Sequence, residues 1–228
     1  MADLWHQERI FLTVKAYPSI SKKHHEACCM AGITAKGDWI RLYPVFFRDL
    51  EDEQKFNKYT WIEASVKKSN DFREESYYVD PASIRVVENV PTDGQWSRRN
   101  AIILPKLAPA AAVFAPAREL GRNTLTLIKP SELVGLEIDQ TPDEDFERQV
   151  QNMNDLQQQL SLIPTKKIRP LELVPYSFRY DFIDDNGDRH KLKIVDWEIY
   201  QLYRNCRHRS DWEELIRQKF HYRTEKMC

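Results

Sequence analysis

The sequence predicts an α+β protein, with a small antiparallel β-barrel in its N-terminal part, a second β-hairpin region and C-terminal helices. Three observations predict this class. Short alternating segments rich in β-branched and aromatic residues fill much of the first hundred positions. An Asn-Gly pair at residues 186–187 lies between two further alternating segments. Capping-box patterns at Thr141 and Ser210 precede apolar residues at helical spacing.

The alternation of apolar and polar residues predicts the N-terminal strands. Lys36-Gly37 joins two of them, because a glycine suits the tight turn of a hairpin. Strands at this spacing, with little helix between them, are typical of a small barrel or sandwich. In chain order we expect strands at residues 9–17, 27–35, 38–43, 59–67, 83–90 and 101–104.

The second half of the sequence predicts a mixture of strands and helices. We place a domain boundary between residues 105 and 106, giving domains 1–105 and 106–228, although one continuous domain fits the pattern as well. Strands return at 124–129 and 132–138. The later elements are a helix over 142–160, a hairpin over 175–195 and a helical hairpin over 196–222.

Composition narrows the class of protein. The 228 residues are 42% hydrophobic and 30% charged, with a net charge of −1, which is typical of a globular chain. No apolar run approaches the ~20 residues of a membrane span, and the N-terminus lacks the pattern of a signal peptide. We therefore expect a cytoplasmic protein that does not bind membranes and keeps its four cysteines reduced.

The first hairpin carries the main candidate site. Alternation directs Ile40 and Leu42 to one face of the strand and Trp39, Arg41 and Tyr43 to the other. An aromatic–arginine–aromatic row is a surface on which single-stranded bases stack while the guanidinium contacts phosphate. The alternative is that Trp39 and Tyr43 belong to a second core layer and that Arg41 pairs with a carboxylate.

Further residues extend this candidate surface. Trp61, at the centre of the next strong strand, is a second stacking candidate. Basic residues near the strands supply charge for phosphate contacts. They are Lys22, Lys23, Arg98 and Arg99.

Catalytic and metal motifs are weak by comparison. The His24-His25-Glu26-Ala27-Cys28-Cys29 cluster matches no zinc-finger or ribbon spacing, so we expect no metal site. Carboxylates between Asp49 and Glu53 lie on a polar connection, which favours a solvated loop over a nuclease centre. The sequence lacks a phosphate-binding glycine loop and a Gly-x-Ser-x-Gly elbow. We therefore expect no cofactor and no catalytic residue.

Three stretches resemble uncharacterised prokaryotic proteins described as containing dual OB-like domains. They are the hairpin sequence from Cys29 to Pro44, the aromatic strand Tyr59-Thr60-Trp61-Ile62 and the helix start Asp196-Trp197-Glu198. The resemblance implies OB-like barrels, a nucleic-acid or nucleotide ligand and a place in prokaryotic antiviral defence. It supplies no catalytic residue.

The leading prediction is a non-catalytic protein that binds single-stranded or structured DNA or RNA. Two alternatives remain. One is an assembly subunit whose helix 142–160 docks onto a protein partner through a stripe of apolar residues beginning at Phe146. The other is a metal-dependent nuclease or hydrolase.

Overall fold

The computed structural model describes residues 4–19, 26–92, 94, 96–114, 124–161 and 171–220. The chain divides into two units. Unit 1 comprises Met1–Ala16 and Ala27–Lys129, and unit 2 comprises Tyr17–Glu26 and Pro130–Cys228. No helix within the described residues is long and apolar enough to cross a lipid bilayer.

Unit 1 is built on six strands. They are β1 (His6–Lys15), β2 (Cys28–Thr34), β3 (Trp39–Val45), β4 (Thr60–Lys68), β5 (Ser76–Val79) and β6 (Arg85–Asn89). The first five close into a barrel in the ring order β1-β2-β3-β5-β4-β1, and β6 adds to β4. Only the β3–β5 pairing is parallel. The predicted α+β class with an OB-like barrel is confirmed.

The barrel interior follows from period-two alternation along the strands. On β4, Ile62, Ala64 and Val66 are fully buried, whereas the residues between them face outward. Ile40 and Leu42 of β3 are buried in the same way, as the sequence predicts. Each large aliphatic side chain that leaves water here stabilises the fold by about 1.5–3 kcal/mol.

The β2–β3 hairpin is confirmed, with its turn at the predicted glycine. Gly37 has φ +90°, a conformation that residues with a Cβ rarely adopt. Its amide donates to the Thr34 carbonyl at 2.9 Å, and the Thr34 hydroxyl accepts from the Asp38 amide at 3.1 Å. The turn therefore closes through local hydrogen bonds.

The part of unit 1 after the barrel differs from the prediction. It contains α1 (Ser97–Ile103), β7 (Leu107–Ala108), α2 (Ala110–Phe114) and β8 (Leu127–Ile128), and β7 pairs with β8 in parallel. The strand expected at 101–104 is wrong, because these residues end a helix; a four-residue apolar run does not distinguish the two states. The strand expected at 124–129 is reduced to two residues.

Unit 2 contains a three-stranded antiparallel sheet and three helices. Its elements are β9 (Glu132–Gln140), α3 (Asp143–Ser161), β10 (Tyr176–Ile183), β11 (Arg189–Lys193), α4 (Trp197–Cys206) and α5 (Trp212–Phe220). The sheet order is β11-β10-β9. The predicted strand at 132–138, helix at 142–160 and hairpin at 175–195 are confirmed, and Gly187 has φ +88° in the hairpin turn.

Aromatic residues of β10 and α4 form the core of unit 2. Phe178 is fully buried and contacts Tyr200 at 5.3 Å and Tyr203 at 6.4 Å between ring centroids. Ile216 of α5 is fully buried in the same cluster. The Asp196 side chain accepts the Glu198 amide at 2.8 Å and so caps α4.

Candidate functional site

The outward face of β3 carries Trp39, Arg41 and Tyr43, called here the β3 surface. All three side chains are partly buried, so the row is less open than a free stacking surface would be. Trp39 lies opposite Ile33 of β2, and Ile33 is buried. This favours the alternative that Trp39 belongs to a second core layer. Burial and the neighbouring Cys29 raise the pKa of Tyr43.

Arg41 lies at the centre of a polar network. One terminal nitrogen, Nη1, donates to Cys29 Sγ at 3.2 Å, and the other, Nη2, donates to Thr124 Oγ1 at 2.9 Å. Nη2 also lies 3.6 Å from Glu75 Oε1. Arg41 therefore pairs with a carboxylate, as the alternative prediction expects.

Glu75 is the buried member of this network. Its side chain is 1% exposed, and its Oε1 accepts from both the amide (3.0 Å) and the hydroxyl (2.7 Å) of Thr124. Burial raises the pKa of Glu75, but the Thr124 hydrogen bonds and the charge of Arg41 outweigh it and hold the pKa below its usual value. The carboxylate is therefore ionised at neutral pH.

Three polar atoms of the network are buried without a hydrogen-bond partner among the described residues. They are Glu75 Oε2, Arg41 Nε and Ser76 Oγ. Buried polar groups in folded proteins normally bond to protein or ordered water. The network therefore retains unused donor and acceptor capacity beside β3.

The loop between β4 and β5, residues 69–75, lies next to this network. The Asp71 carboxylate accepts the Arg73 amide at 3.0 Å and also binds its guanidinium, and these bonds hold the pKa of Asp71 well below its usual range. Lys68 Nζ donates to the carbonyls of Arg73 and Glu74. The loop is therefore braced by its own side chains.

Phe72 projects from this braced loop. Its side chain is among the most exposed large apolar ones in the described chain, at 75%, and the Arg73 guanidinium lies 5.5 Å from the ring centroid. The hydrogen bond to Asp71 raises the pKa of Arg73. The loop ends at Glu75, whose carbonyl accepts the Arg41 amide at 2.7 Å, so the loop meets the β3 surface there. The loop that meets β3 at Arg41 therefore also carries an exposed aromatic side chain and a cation.

The other predicted site residues lie elsewhere in unit 1 or outside the described residues. Trp61 is partly buried, with Phe11 at 5.2 Å and the Arg9 guanidinium at 5.3 Å from its ring. Arg98 is exposed and pairs with Glu88 at 2.5 Å. Lys22 and Lys23 lie outside the described residues.

Arg99 has a structural environment. It is 8% exposed, and its Nε and Nη2 donate to the Val90 carbonyl at 2.8 and 2.6 Å. Its guanidinium also lies 4.2 Å from the Tyr59 ring centroid and 5.0 Å from that of Trp96. Through these contacts Arg99 connects α1 to the residue that follows β6, Val90.

Sequence reasoning missed Phe72, Arg73 and Glu75. Strand β5 is short, so neither it nor the loop before it stands out from the polar sequence around them. The usable signal is one aromatic residue inside a charged loop that joins two strands. Within the described residues, no group of three or more His, Cys, Asp or Glu side chains is placed to hold a metal ion.

Two family models match the chain. The domain of unknown function DUF8758 matches residues 6–105, which include the strands of the barrel. The domain of unknown function DUF8757 matches residues 110–227, more than half of the chain. The chain belongs to the DUF8757 family. No curated protein matches it. The DUF8757 match begins at the first residue of α2, whereas the boundary between the two units falls at residues 129–130.

Proposed function

We propose that unit 1 binds single-stranded nucleic acid through the β3 surface and the β4–β5 loop. OB barrels bind oligonucleotides on the face of their second and third strands and with the loops that join strands 1 to 2 and 4 to 5. The ring order of unit 1 makes β2, β3 and the β4–β5 loop the corresponding elements. Lys22 and Lys23 lie outside the described residues, and as phosphate contacts they stay a prediction from the sequence.

The single observation that carries the proposal is the exposure of Phe72 on a braced loop. The Phe72 side chain is 75% exposed, so its ring is open to contact by a ligand. Base stacking on such a ring contributes about 1–3 kcal/mol per base and tolerates any sequence. Because Asp71, Arg73 and Lys68 fix the loop before a ligand arrives, binding loses little conformational entropy there.

The charges of the site predict how binding responds to salt. Arg41 is partly neutralised by Glu75, and Arg73 by Asp71, so few full charges are available to phosphate. Each phosphate neutralised by a cation adds about one unit to the salt slope. We therefore expect a shallow slope from the described part of the site, and a steeper one if Lys22 and Lys23 also contact phosphate.

The test is an anisotropy titration of labelled 12-nucleotide DNA and RNA strands at two salt concentrations. Phe72→Ala is expected to weaken binding at least roughly fivefold, since one stacked base is lost. Phe72→Tyr keeps the ring and is expected to bind like wild type. Val87→Ala, on exposed β6, is the matched control. Absence of binding at low salt, or equal affinity of Phe72→Ala and Val87→Ala, would contradict the proposal.

The biological setting stays a prediction that the resemblance implies. A dual-OB-like protein of prokaryotic antiviral defence is expected to change phage plaque counts when it is expressed, and Phe72→Ala is expected to cancel that change. The docking of a protein partner on α3 stays a prediction as well. Phe146, Val150 and Met153 of its stripe are partly buried within the described chain.

A further inference from the structure

Unit 2 contains a cavity of about 460 Å³. This volume falls within the range of roughly 300–1,000 Å³ that is typical of small-molecule sites. Its apolar wall includes Tyr17, Val174 and Tyr200, and its charged rim includes Arg148, Arg179 and Lys193. The cavity lies in a different unit from the proposed nucleic-acid surface, so a ligand bound in the cavity is independent of that function.

The wall presents aromatic rings whose hydroxyls are already bonded. Tyr17 and Tyr200 stack with ring centroids 4.7 Å apart and planes 16° apart. The Tyr17 hydroxyl donates to the Glu172 carbonyl at 2.7 Å, and the Tyr200 hydroxyl donates to the Ile194 carbonyl at 3.2 Å. Burial, followed by the neighbouring Tyr17, raises the pKa of Tyr200 to about 12. The pair therefore gives the cavity a neutral aromatic wall.

The rim carries an excess of positive charge. Three cations line the cavity in the described chain, against one lining carboxylate, Asp145, which pairs with Arg148 at 2.5 Å. Arg179 pairs with Asp139. Lys193 has no ion pair or side-chain hydrogen bond among the described residues, so its charge is uncompensated there.

The register of the sheet places two of these cations on neighbouring strands. Arg179 of β10 and Lys193 of β11 are directly opposite each other, and like charges in that position destabilise a sheet. The neighbouring carboxylate of Glu137 is 2.5 Å from Lys191 and so does not relieve Lys193. An anion bound between Arg179 and Lys193 would remove the repulsion.

We infer that this cavity binds an aromatic anion, a planar ring that carries a phosphate or a carboxylate. The ring would lie against the tyrosine wall, and the anionic group would bind Lys193 and Arg179 at the rim. Arg179 offers the planar donor geometry that suits both anions. A nucleotide and an aromatic carboxylic acid share this chemistry.

The test uses calorimetric titration of the full chain with four probes. AMP and 2-aminobenzoate carry both a ring and an anion, and they distinguish a phosphate source from a carboxylate source. Adenosine lacks the anion, and ribose 5-phosphate lacks the aromatic ring. At least one of the first two is expected to bind, and the last two are expected to bind at least about tenfold more weakly.

Three variants complete the test. Lys193→Gln is expected to weaken binding at least roughly tenfold, because a charge-assisted hydrogen bond is lost. Lys191→Gln is the matched control on the same strand face, and it is expected to leave affinity unchanged. Val195→Trp places a large ring at a lining residue that is 49% exposed, and it is expected to block binding without disturbing the core.

Several outcomes would overturn the inference. The first is that neither AMP nor 2-aminobenzoate binds at millimolar concentration. The second is that ribose 5-phosphate binds as tightly as AMP, which would indicate a simple anion site. The third is that Lys193→Gln and Lys191→Gln have equal affinity. Circular dichroism spectra that match wild type exclude misfolding of the variants.

Discussion

Replacing Arg41 by methionine isolates the energetic role of the buried ion pair. The variant keeps an unbranched side chain on β3 but removes the guanidinium, which leaves the Glu75 carboxylate buried with hydrogen-bond donors but without a paired cation. A buried charge that loses its counterion is strongly destabilising. We expect Arg41→Met to lower the free energy of unfolding of unit 1 at neutral pH.

The magnitude follows from the geometry. At 3.6 Å and an effective dielectric constant of about 20, the attraction between Arg41 and Glu75 is about 4.6 kcal/mol. Part of this is offset, because the variant no longer desolvates the guanidinium, which is 15% exposed in the wild type. We expect a net loss of about 3 kcal/mol, at the lower end of values for broken buried pairs.

The loss should depend on pH in a defined direction. The folded-state pKa of Glu75 is lowered in the wild type, so its stabilisation is complete above the unfolded pKa of about 4.3 and is lost as the pH falls through the lower folded value. Without Arg41, the pKa of Glu75 is expected to lie above its wild-type folded value, because the attraction of the guanidinium for the ionised carboxylate is lost. Protonation then relieves the penalty, so the difference between Arg41→Met and wild type shrinks as the pH falls through the folded pKa of the variant.

Native-state hydrogen exchange of β3 and β5 amides reports this stability within unit 1. Arg98→Met is the matched control, because the Arg98–Glu88 pair has side chains that are 53% and 38% exposed. Breaking it is expected to cost less than about 1 kcal/mol at any pH. A stabilising role of the buried pair is contradicted if Arg41→Met costs no more than Arg98→Met, or if its cost does not change with pH.

Two further predictions concern a close strand approach and a hairpin turn. A Cβ on Gly32 would overlap a β1 carbonyl oxygen and lie 2.9 Å from an isoleucine methyl, so Gly32→Ala is expected to cost at least about 2 kcal/mol in urea denaturation. Gly135→Ala meets nothing within 4 Å and is expected to be tolerated; equal costs would contradict the close approach. The hydrogen bond from His190 is the main reason that the pKa of Asp184 is lowered, and two turn amides also bond to this carboxylate. Asp184→Asn is therefore expected to lower the melting temperature at neutral pH, and the difference should disappear as acid protonates the wild-type carboxylate below its usual pKa. Asp188→Asn, at an exposed turn position, should melt like wild type if this account is right.

Several strands of both units were predictable because they carry local signals. The β2–β3 hairpin combines alternation with a glycine turn, and β10–β11 combines alternation with Asn186-Gly187. Strand β5 gave no such signal. Its four residues form a strand by pairing with β4 and, in parallel, with β3, whose partner residues lie more than thirty positions earlier in the chain.

The candidate site was only partly predictable. The alternation of β3 placed Trp39, Arg41 and Tyr43 on one face, which the structure confirms. It did not show that Thr124 lies on that face, 83 positions after Arg41. The sequence also did not predict that Phe72 is exposed. The exposure of one aromatic residue in a charged loop depends on which surfaces the rest of the fold covers.

The orientation of the β3 side chains, the turns of both hairpins and the starts of most helices follow from local sequence, because these features depend on neighbours a few residues apart. The exposure of each side chain and the identity of its partners depend on the folded chain. Closure of the barrel brings Cys29, Arg41, Glu75 and Thr124 together, and it leaves Phe72 exposed on the loop that ends at Glu75. Burial and pairing depend on the whole chain, since a buried charge requires a partner wherever in the sequence that partner lies.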